Sequence, residues 1–208
     1  MAISIPGKVV VFDYGEVISR TPAPGAQAEL AALAGTDLAT LQEAWLRHRH
    51  ELDHGTLGVV EYWQTMAREL GTEWGIRRIH ELWARDFASW FTLEPETGDL
   101  IGELHDGGTR IALLSNAGFD YGDPFRFWPL GSLMERVFVS AELGLLKPDP
   151  EIYRRVMDEL GVGPSGTVFV DNKAENVDAA AALGITAHHF TGAPGLRTFL
   201  EGLAEAAA

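Results

Sequence analysis

The stretch Lys8-Val9-Val10-Val11-Phe12-Asp13-Tyr14-Gly15-Glu16-Val17-Ile18 decides how the rest of the chain is read. Four apolar residues, three of them β-branched, run without interruption into an acid. A short continuous apolar run bounded by a turn signal suits a strand buried on both faces, as in a parallel sheet. A carboxylate is costly to bury, so Asp13 belongs where that strand emerges, at its C-terminal end. Ligand crevices in open α/β sheets lie outside those strand ends. Taken alone, the segment leaves Asp13 open between an acid that starts a turn and one that does chemistry.

Outward from this strand, the chain changes character twice. Thr21-Pro22-Ala23-Pro24-Gly25 is a breaker-rich connection, and from there to residue 91 the chain is helical and strand-free. Ala26–Ala34 stops at Gly35, and Asp37 caps a longer helix that ends near Gly55. Val59, Tyr62, Trp63, Met66 and Leu70 repeat at helical spacing, as do Ile79, Leu82, Trp83 and Phe87. Five of the six tryptophans (Trp45, Trp63, Trp74, Trp83, Trp90) lie in this block and are expected to pack its core. Beyond it, apolar strands at Arg110–Leu114, Val137–Ser140, Thr167–Val170 and Ile185–His188 alternate with helices at Thr97–Leu104, Pro150–Leu160, Asn172–Leu183 and Leu196–Glu205. That alternation predicts an α/β protein, a Rossmann-like parallel sheet with helices on both faces. Residues 1–20 and 92–208 form the core, and 21–91 an inserted α-helical domain.

Composition narrows the chemistry. The chain has 208 residues, 46% of them hydrophobic and 22% charged, as in an ordinary soluble globule. A net charge of −14 argues against nucleic-acid binding, which needs cations to neutralise phosphates, and against an anionic membrane surface. Without cysteine there are no disulfides, thiolate metal sites or thiol nucleophiles. No stretch approaches the roughly 18 apolar residues of a membrane span, and the first residues do not read as a signal peptide, so a cytoplasmic protein is expected.

Several strand or loop ends bring polar residues to one rim: Asp13, Ser115-Asn116, Lys147 and Asp171-Asn172. Two carboxylates, a cation, a hydroxyl and amides suit a phosphate bound beside a hard cation such as Mg²⁺. One carboxylate can attack phosphorus and form a phospho-aspartate. Lys147 is one of only three lysines, with Lys8 and Lys173, which favours a point-charge role.

These stretches resemble the four motifs of the haloacid dehalogenase superfamily. Phe12-Asp13-Tyr14-Gly15-Glu16-Val17 looks like the first, Leu114-Ser115-Asn116 the second, Gly144-Leu145-Leu146-Lys147-Pro148-Asp149-Pro150 the third and Val170-Asp171-Asn172-Lys173-Ala174-Glu175-Asn176 the fourth. They occur in the family's order, and the family also inserts a helical cap after its first strand. The resemblance implies a phosphomonoester hydrolase of a small phosphorylated metabolite, with Mg²⁺ as cofactor. Asp13 would be the nucleophile and a metal ligand, the Gly15 carbonyl and Asp171 further ligands. Ser115 and Asn116 would hold the phosphoryl group and Lys147 offset its charge. Tyr153 and Asn176 would organise structure.

Two positions depart from that pattern. Most of the family's phosphatases carry a second acid, the general acid/base, where this chain has Gly15. Such a group is worth about 10²–10⁴-fold in rate. The expected substrate is therefore one whose leaving group needs little protonation, such as an anomeric sugar phosphate, unless the turn aims Glu16 inward. Asn172 stands where a further acid is usual, and Glu175 could compensate. Three other readings compete. A haloacid dehalogenase in the narrow sense resembles Asp-x-Tyr-Gly-Thr, but here Tyr14-Gly15 comes one residue early and Glu16 replaces the threonine. A catalytically inactive, ligand-binding family member would account for Gly15 and Asn172. His50-Glu51-Leu52-Asp53-His54 spells a zinc-peptidase pattern, but Gly55 ends that helix at once.

Overall fold

The computed structural model describes residues 2–207. Five strands, β1 (Val9–Phe12), β2 (Arg110–Ser115), β3 (Arg136–Val139), β4 (Thr167–Asp171) and β5 (Thr186–His189), form one parallel sheet in the order β3-β2-β1-β4-β5. The chain leaves β1 toward β2 and β3, then crosses back to add β4 and β5 on the other side. The order therefore reverses between β1 and β4, the switch point outside which such sheets bind ligands.

Side chains alternate across the pleat. Val10, Phe12, Ile111, Leu113, Val168 and Val170 point to one face, covered by α5 (Pro95–Asp106) and α10 (Ala193–Ala207) through Leu100, Leu104, Leu196 and Leu200. Val9, Val11, Ala112, Leu114 and Phe169 point to the other, covered by α8 (Pro150–Leu160) and α9 (Ala174–Ala182) through Ile152, Val156, Leu160 and Ala180. Because both faces are covered, β1 is apolar at every position, and no alternation was visible in its sequence.

Between β1 and α5 lie α1 (Pro24–Ala34), α2 (Leu38–His54), α3 (Val59–Glu69) and α4 (Ile76–Ser89). They bury a cluster of their own, with Leu30, Leu41, Trp63, Met66, Ile79 and Leu82 at its centre. Asp37 caps α2 by accepting from the Thr40 amide at 3.0 Å, and Gly55 ends it at φ 84°, a left-handed turn that glycine adopts without strain. The chain enters and leaves this block at one place: Ser19 and Leu93 form an antiparallel bridge, with Arg20 N donating to Thr92 O at 2.7 Å and Glu94 N to Ile18 O at 2.8 Å.

Several expectations shift. Proline starts α1 and α5 two residues earlier than read, because a first-turn N–H has no helical partner to lose. Two helices escaped the sequence reading, α6 (Gly122–Phe127) and α7 (Ser140–Leu143), both too short to show a period. The tryptophans also divide. Trp63 is the core of the block and Trp45, Trp74 and Trp83 pack partly against it, whereas Trp90 packs on the sheet side. Among the described residues no helix is long and apolar enough to cross a membrane.

Candidate active site

β1 and β4 run side by side in register, Phe12 beside Val170, so the next residue of each is an aspartate at the same rim. Asp13 anchors its backbone by donating N–H to Val170 O at 2.8 Å. Between the two carboxylates sits Lys147, only 5% exposed. Its Nζ donates to Asp13 Oδ1 at 2.6 Å, to Asp171 Oδ2 at 2.7 Å and to Leu114 O at 2.9 Å, using all three ammonium protons. Burial alone would lower the Lys147 pKa, but the two carboxylates outweigh it and hold it above its ordinary value. Burial raises Asp13 to about 6 against the lowering by Lys147, and Asp171 pushes the same way as burial.

The lysine is positioned through its main chain. Asn116 Nδ2 donates to Lys147 O at 2.9 Å, and Lys147 N donates back to Asn116 Oδ1 at 3.0 Å. Asn116 therefore clamps the lysine loop to the end of β2, and Ser115 before it lines the same cavity. On the β4 side, Asp171 Oδ1 accepts from Lys173 N at 2.8 Å and Oδ2 from Asn176 Nδ2 at 3.0 Å. Tyr153 Oη donates to Asn176 O at 2.9 Å. Tyr153 and Asn176 thus hold the acid in place, the organising role expected of them.

The turn after β1 is unusual. Glu16 is the one non-glycine residue with positive φ among those described, at 60°. Left-handed backbone is strained for a side chain of this size, and such strain collects at functional sites. Its Oε1 accepts from Thr21 Oγ1 at 2.8 Å and its Oε2 from Asn172 Nδ2 at 2.7 Å. With its NH₂ committed to Glu16, Asn172 leaves Oδ1 buried and without a partner. Gly15 lines the cavity beside it, and a Cβ there would meet only Trp90 Cζ3 at 3.8 Å.

These groups surround a cavity of about 310 Å³ between the strand ends and α2, lined by Asp13, Gly15, Ser115, Asn116, Lys147 and Asn172. Of the residues expected at the site, Asp13, Gly15, Ser115, Asn116, Lys147, Asp171 and Asn172 converge. Glu175 does not: it is exposed in the first turn of α9, outside the cavity lining, because the helix that turns Asn176 toward Asp171 turns its neighbour outward.

Sequence reasoning missed the opposite wall, formed by Trp45, Arg49 and Asp53 of α2 with Trp90 and Tyr121. Arg49 Nε donates to Asp53 Oδ1 at 2.7 Å and its guanidinium lies 4.8 Å from the Trp45 ring centroid. The signal was present: Trp45, Arg49 and Asp53 recur every four residues, one face of a helix. The zinc-peptidase pattern covers the same segment, but its contribution to the cavity is Asp53. His50 is exposed, and among the described residues no three His, Asp or Glu side chains gather to hold a metal.

The donor set suits a hard cation nonetheless. Asp13, Asp171, the Gly15 carbonyl and the orphaned Asn172 Oδ1 offer only oxygen, the ligand Mg²⁺ prefers.

The chain is similar to known proteins. Phosphatase MT3486 of Mycobacterium tuberculosis is 25% identical over 186 residues, 86% of this chain and 85% of its own. The D-ribitol-5-phosphate phosphatase of Bacteroides thetaiotaomicron is 26% identical over 191 residues, 85% of this chain and 88% of its own. A HAD family enzyme from Bacteroides thetaiotaomicron, solved with magnesium and inorganic phosphate, superimposes with a TM-score of 0.70 at 21% identity, over 87% of this chain and 92% of that one. The model of the haloacid dehalogenase-like hydrolase family matches residues 8–184, a span that includes β1, β2 and β4, whose ends line the cavity, and the Lys147 loop. With that match running the length of the site, the chain belongs to the haloacid dehalogenase-like hydrolase family.

Proposed function

We propose that this hydrolase cleaves a phosphomonoester of a small metabolite by way of a phospho-aspartate on Asp13. The observation that carries the reading is the Lys147 ammonium held between Asp13 and Asp171, with Ser115 and Asn116 on the same cavity wall. In the first step an Asp13 carboxylate oxygen bonds to phosphorus as the ester P–O bond breaks. The leaving oxygen departs with the bonding electrons and takes a proton from water. In the second step water attacks the phosphoryl group, frees Asp13 and releases inorganic phosphate. Ser115 positions the phosphoryl group and the buried lysine, its three protons held by Asp13, Asp171 and Leu114 O, offsets its charge, a preorganised electrostatic contribution.

Asp13, Asp171, the Gly15 carbonyl and Asn172 Oδ1 would hold Mg²⁺, which when bound neutralises phosphate charge at this rim. Glu16 serves this set from behind. By accepting from Asn172 Nδ2 it orients the amide oxygen toward the cavity, so the Glu16–Asn172 pair stands in for the acid the family usually has there. The same bond opposes the alternative role for Glu16: both its oxygens are engaged, and neither replaces the general acid missing at Gly15. The leaving group is therefore one of low basicity. The block of residues 21–91 acts as the cap, which closes over bound substrate and excludes water.

Phosphate release from p-nitrophenyl phosphate with Mg²⁺ tests this. Wild-type protein turns over and Asp13→Asn loses activity by about a thousandfold or more. An inactive wild type, or an Asp13→Asn variant that keeps its rate, overturns it.

A further inference from the structure

The helical block contains a second cavity, of about 390 Å³, between α1, α2 and the turn after β1. It opens off the catalytic cavity: Glu16, Trp45, Leu46 and Trp90 line both. We propose that this chamber receives the leaving group of the substrate, and that this leaving group is apolar, so that the substrate is an amphiphilic phosphomonoester with one anionic head. The inference rests on the phosphatase reading and names its substrate class.

Ala26, Leu30, Leu38 and Leu41 form the floor, and the Trp45 and Trp90 rings the sides. Leu46 is 67% exposed at the junction of the two cavities, apolar surface left open among the described residues. The hydroxyls and amide NH₂ groups nearby already make hydrogen bonds within the protein, Ser89 Oγ to Asp86 O at 2.6 Å among them. Gln42 Nε2 donates to Gln27 Oε1 and Gln27 Nε2 to Pro22 O, each at 3.4 Å, while Thr21 Oγ1 is bonded to Glu16. A sugar or polyol placed here would give up hydrogen bonds to water with few in return, which is costly. The charged residues lining the chamber are Glu16 and Asp86, both acids, and none is a lysine or arginine. A second phosphate or a carboxylate would be repelled. An aryl or hydrocarbon group meets neither penalty, and a phenolic leaving group also needs little protonation, as the absence of an acid at Gly15 demands. The volume falls in the range of small-molecule pockets.

The test holds leaving-group basicity constant and varies only length, comparing 4-methylphenyl with 4-hexylphenyl phosphate. Each buried methylene is worth roughly three- to fourfold, so kcat/KM for the hexyl ester should exceed that for the methyl ester by at least about 30-fold. Leu46→Ser, at an exposed position that keeps the fold intact, should reduce that ratio several-fold, and Ala26→Phe, which fills the floor, should bring it close to one. Calorimetric titration of the inactive Asp13→Asn protein with both esters reads the chamber without turnover, and the hexyl ester should bind at least about tenfold more tightly. Equal turnover and equal binding of the two esters overturn the inference and leave the phosphatase reading standing. Preferential binding of the hexyl ester to a wild type that hydrolyses neither overturns the phosphatase reading and supports the chamber's ligand class.

Discussion

Lys147 and Arg49 are both cations set among aspartates against the same cavity, and they are built to different standards. Lys147 uses its three protons on Asp13, Asp171 and Leu114 O, with one positive charge against two negative. Arg49 bonds one acid, Asp53, while Asp86 and Asp120 stand in the same electrostatic neighbourhood. Asp120 accepts from Trp83 Nε1 at 2.7 Å through Oδ2, but its Oδ1 is buried without a partner. Asp86 is raised from 3.8 to about 6, first by burial, then by Asp120 and Asp53, against the lowering by Arg49. The difference lies in what places the residues. Strand ends locked by a ladder and a loop clamped by Asn116 bring complementary groups together at fixed distance. Helices of the block meeting a loop of the core leave surplus acid, which makes that wall hostile to anionic leaving groups.

Replacing each cation is the sharpest way to break this contrast. Lys147→Met leaves two buried carboxylates facing one another and should cost about 3–5 kcal/mol in urea unfolding. Arg49→Met should cost about half as much, because Arg49 bonds a single acid, Asp53, where Lys147 bonds two. Equal losses would erase the distinction between the two walls. Next in size, Gly15→Asp should speed hydrolysis of alkyl phosphates by about 10- to 100-fold, since the Cβ has room there and a general acid is restored. No gain in a folded variant would mean that leaving-group protonation does not limit the rate.

Asp86 gives a pH signature. Its folded pKa lies above its unfolded value, so its contribution to stability is complete below pH 3.8 and is lost as pH rises through about 6. Asp86→Asn should remove that fall and stabilise the protein at pH 7 by about 1–2 kcal/mol, the full shift being discounted for partial exposure. Stability curves of wild type and variant that stay parallel from pH 4 to 7 would show Asp86 to be unperturbed. The smallest effect is at Glu16. Glu16→Ala should weaken Mg²⁺ binding about tenfold in calorimetry, and Glu16→Gln, which keeps an acceptor for Asn172, should retain most of it. Equal losses in both would show that charge, not orientation of the amide, is what Glu16 supplies.

Much of the sheet half, and the helix ends of the inserted block, were legible in the chain. Val9–Phe12 has the bounds the apolar run implied, Pro150–Leu160 begins at its proline and stops at Gly161, and Gly35 and Gly55 end their helices. These are local signals, set by backbone sterics and runs of apolar side chains. Within 117–143 the strand read at Val137–Ser140 forms at Arg136–Val139, but the helices were not legible, because Gly122–Phe127 and Ser140–Leu143 are shorter than the window in which a helical period shows. The tryptophans misled in part for another reason. An indole satisfies a core or a cavity wall equally well, and no local pattern tells Trp63 from Trp90.

The strand-end stretch from Lys8 to Ile18 by itself determined a parallel sheet with an acid at its rim, since an uninterrupted apolar run ending in a carboxylate has few other stable placements. The polar residues of the three later motifs marked the rest of that rim. Only the tertiary structure decided what faces it. That Glu16 turns the Asn172 amide follows from the pairing of β1 with β4, and that Glu175 points to solvent from the way α9 turns Asn176 inward. Which side of α2 looks inward and that Leu46 borders an apolar chamber depend on how the helical block docks on the sheet. Docking is a sum of contacts between residues distant in the chain, and local propensity carries no record of it.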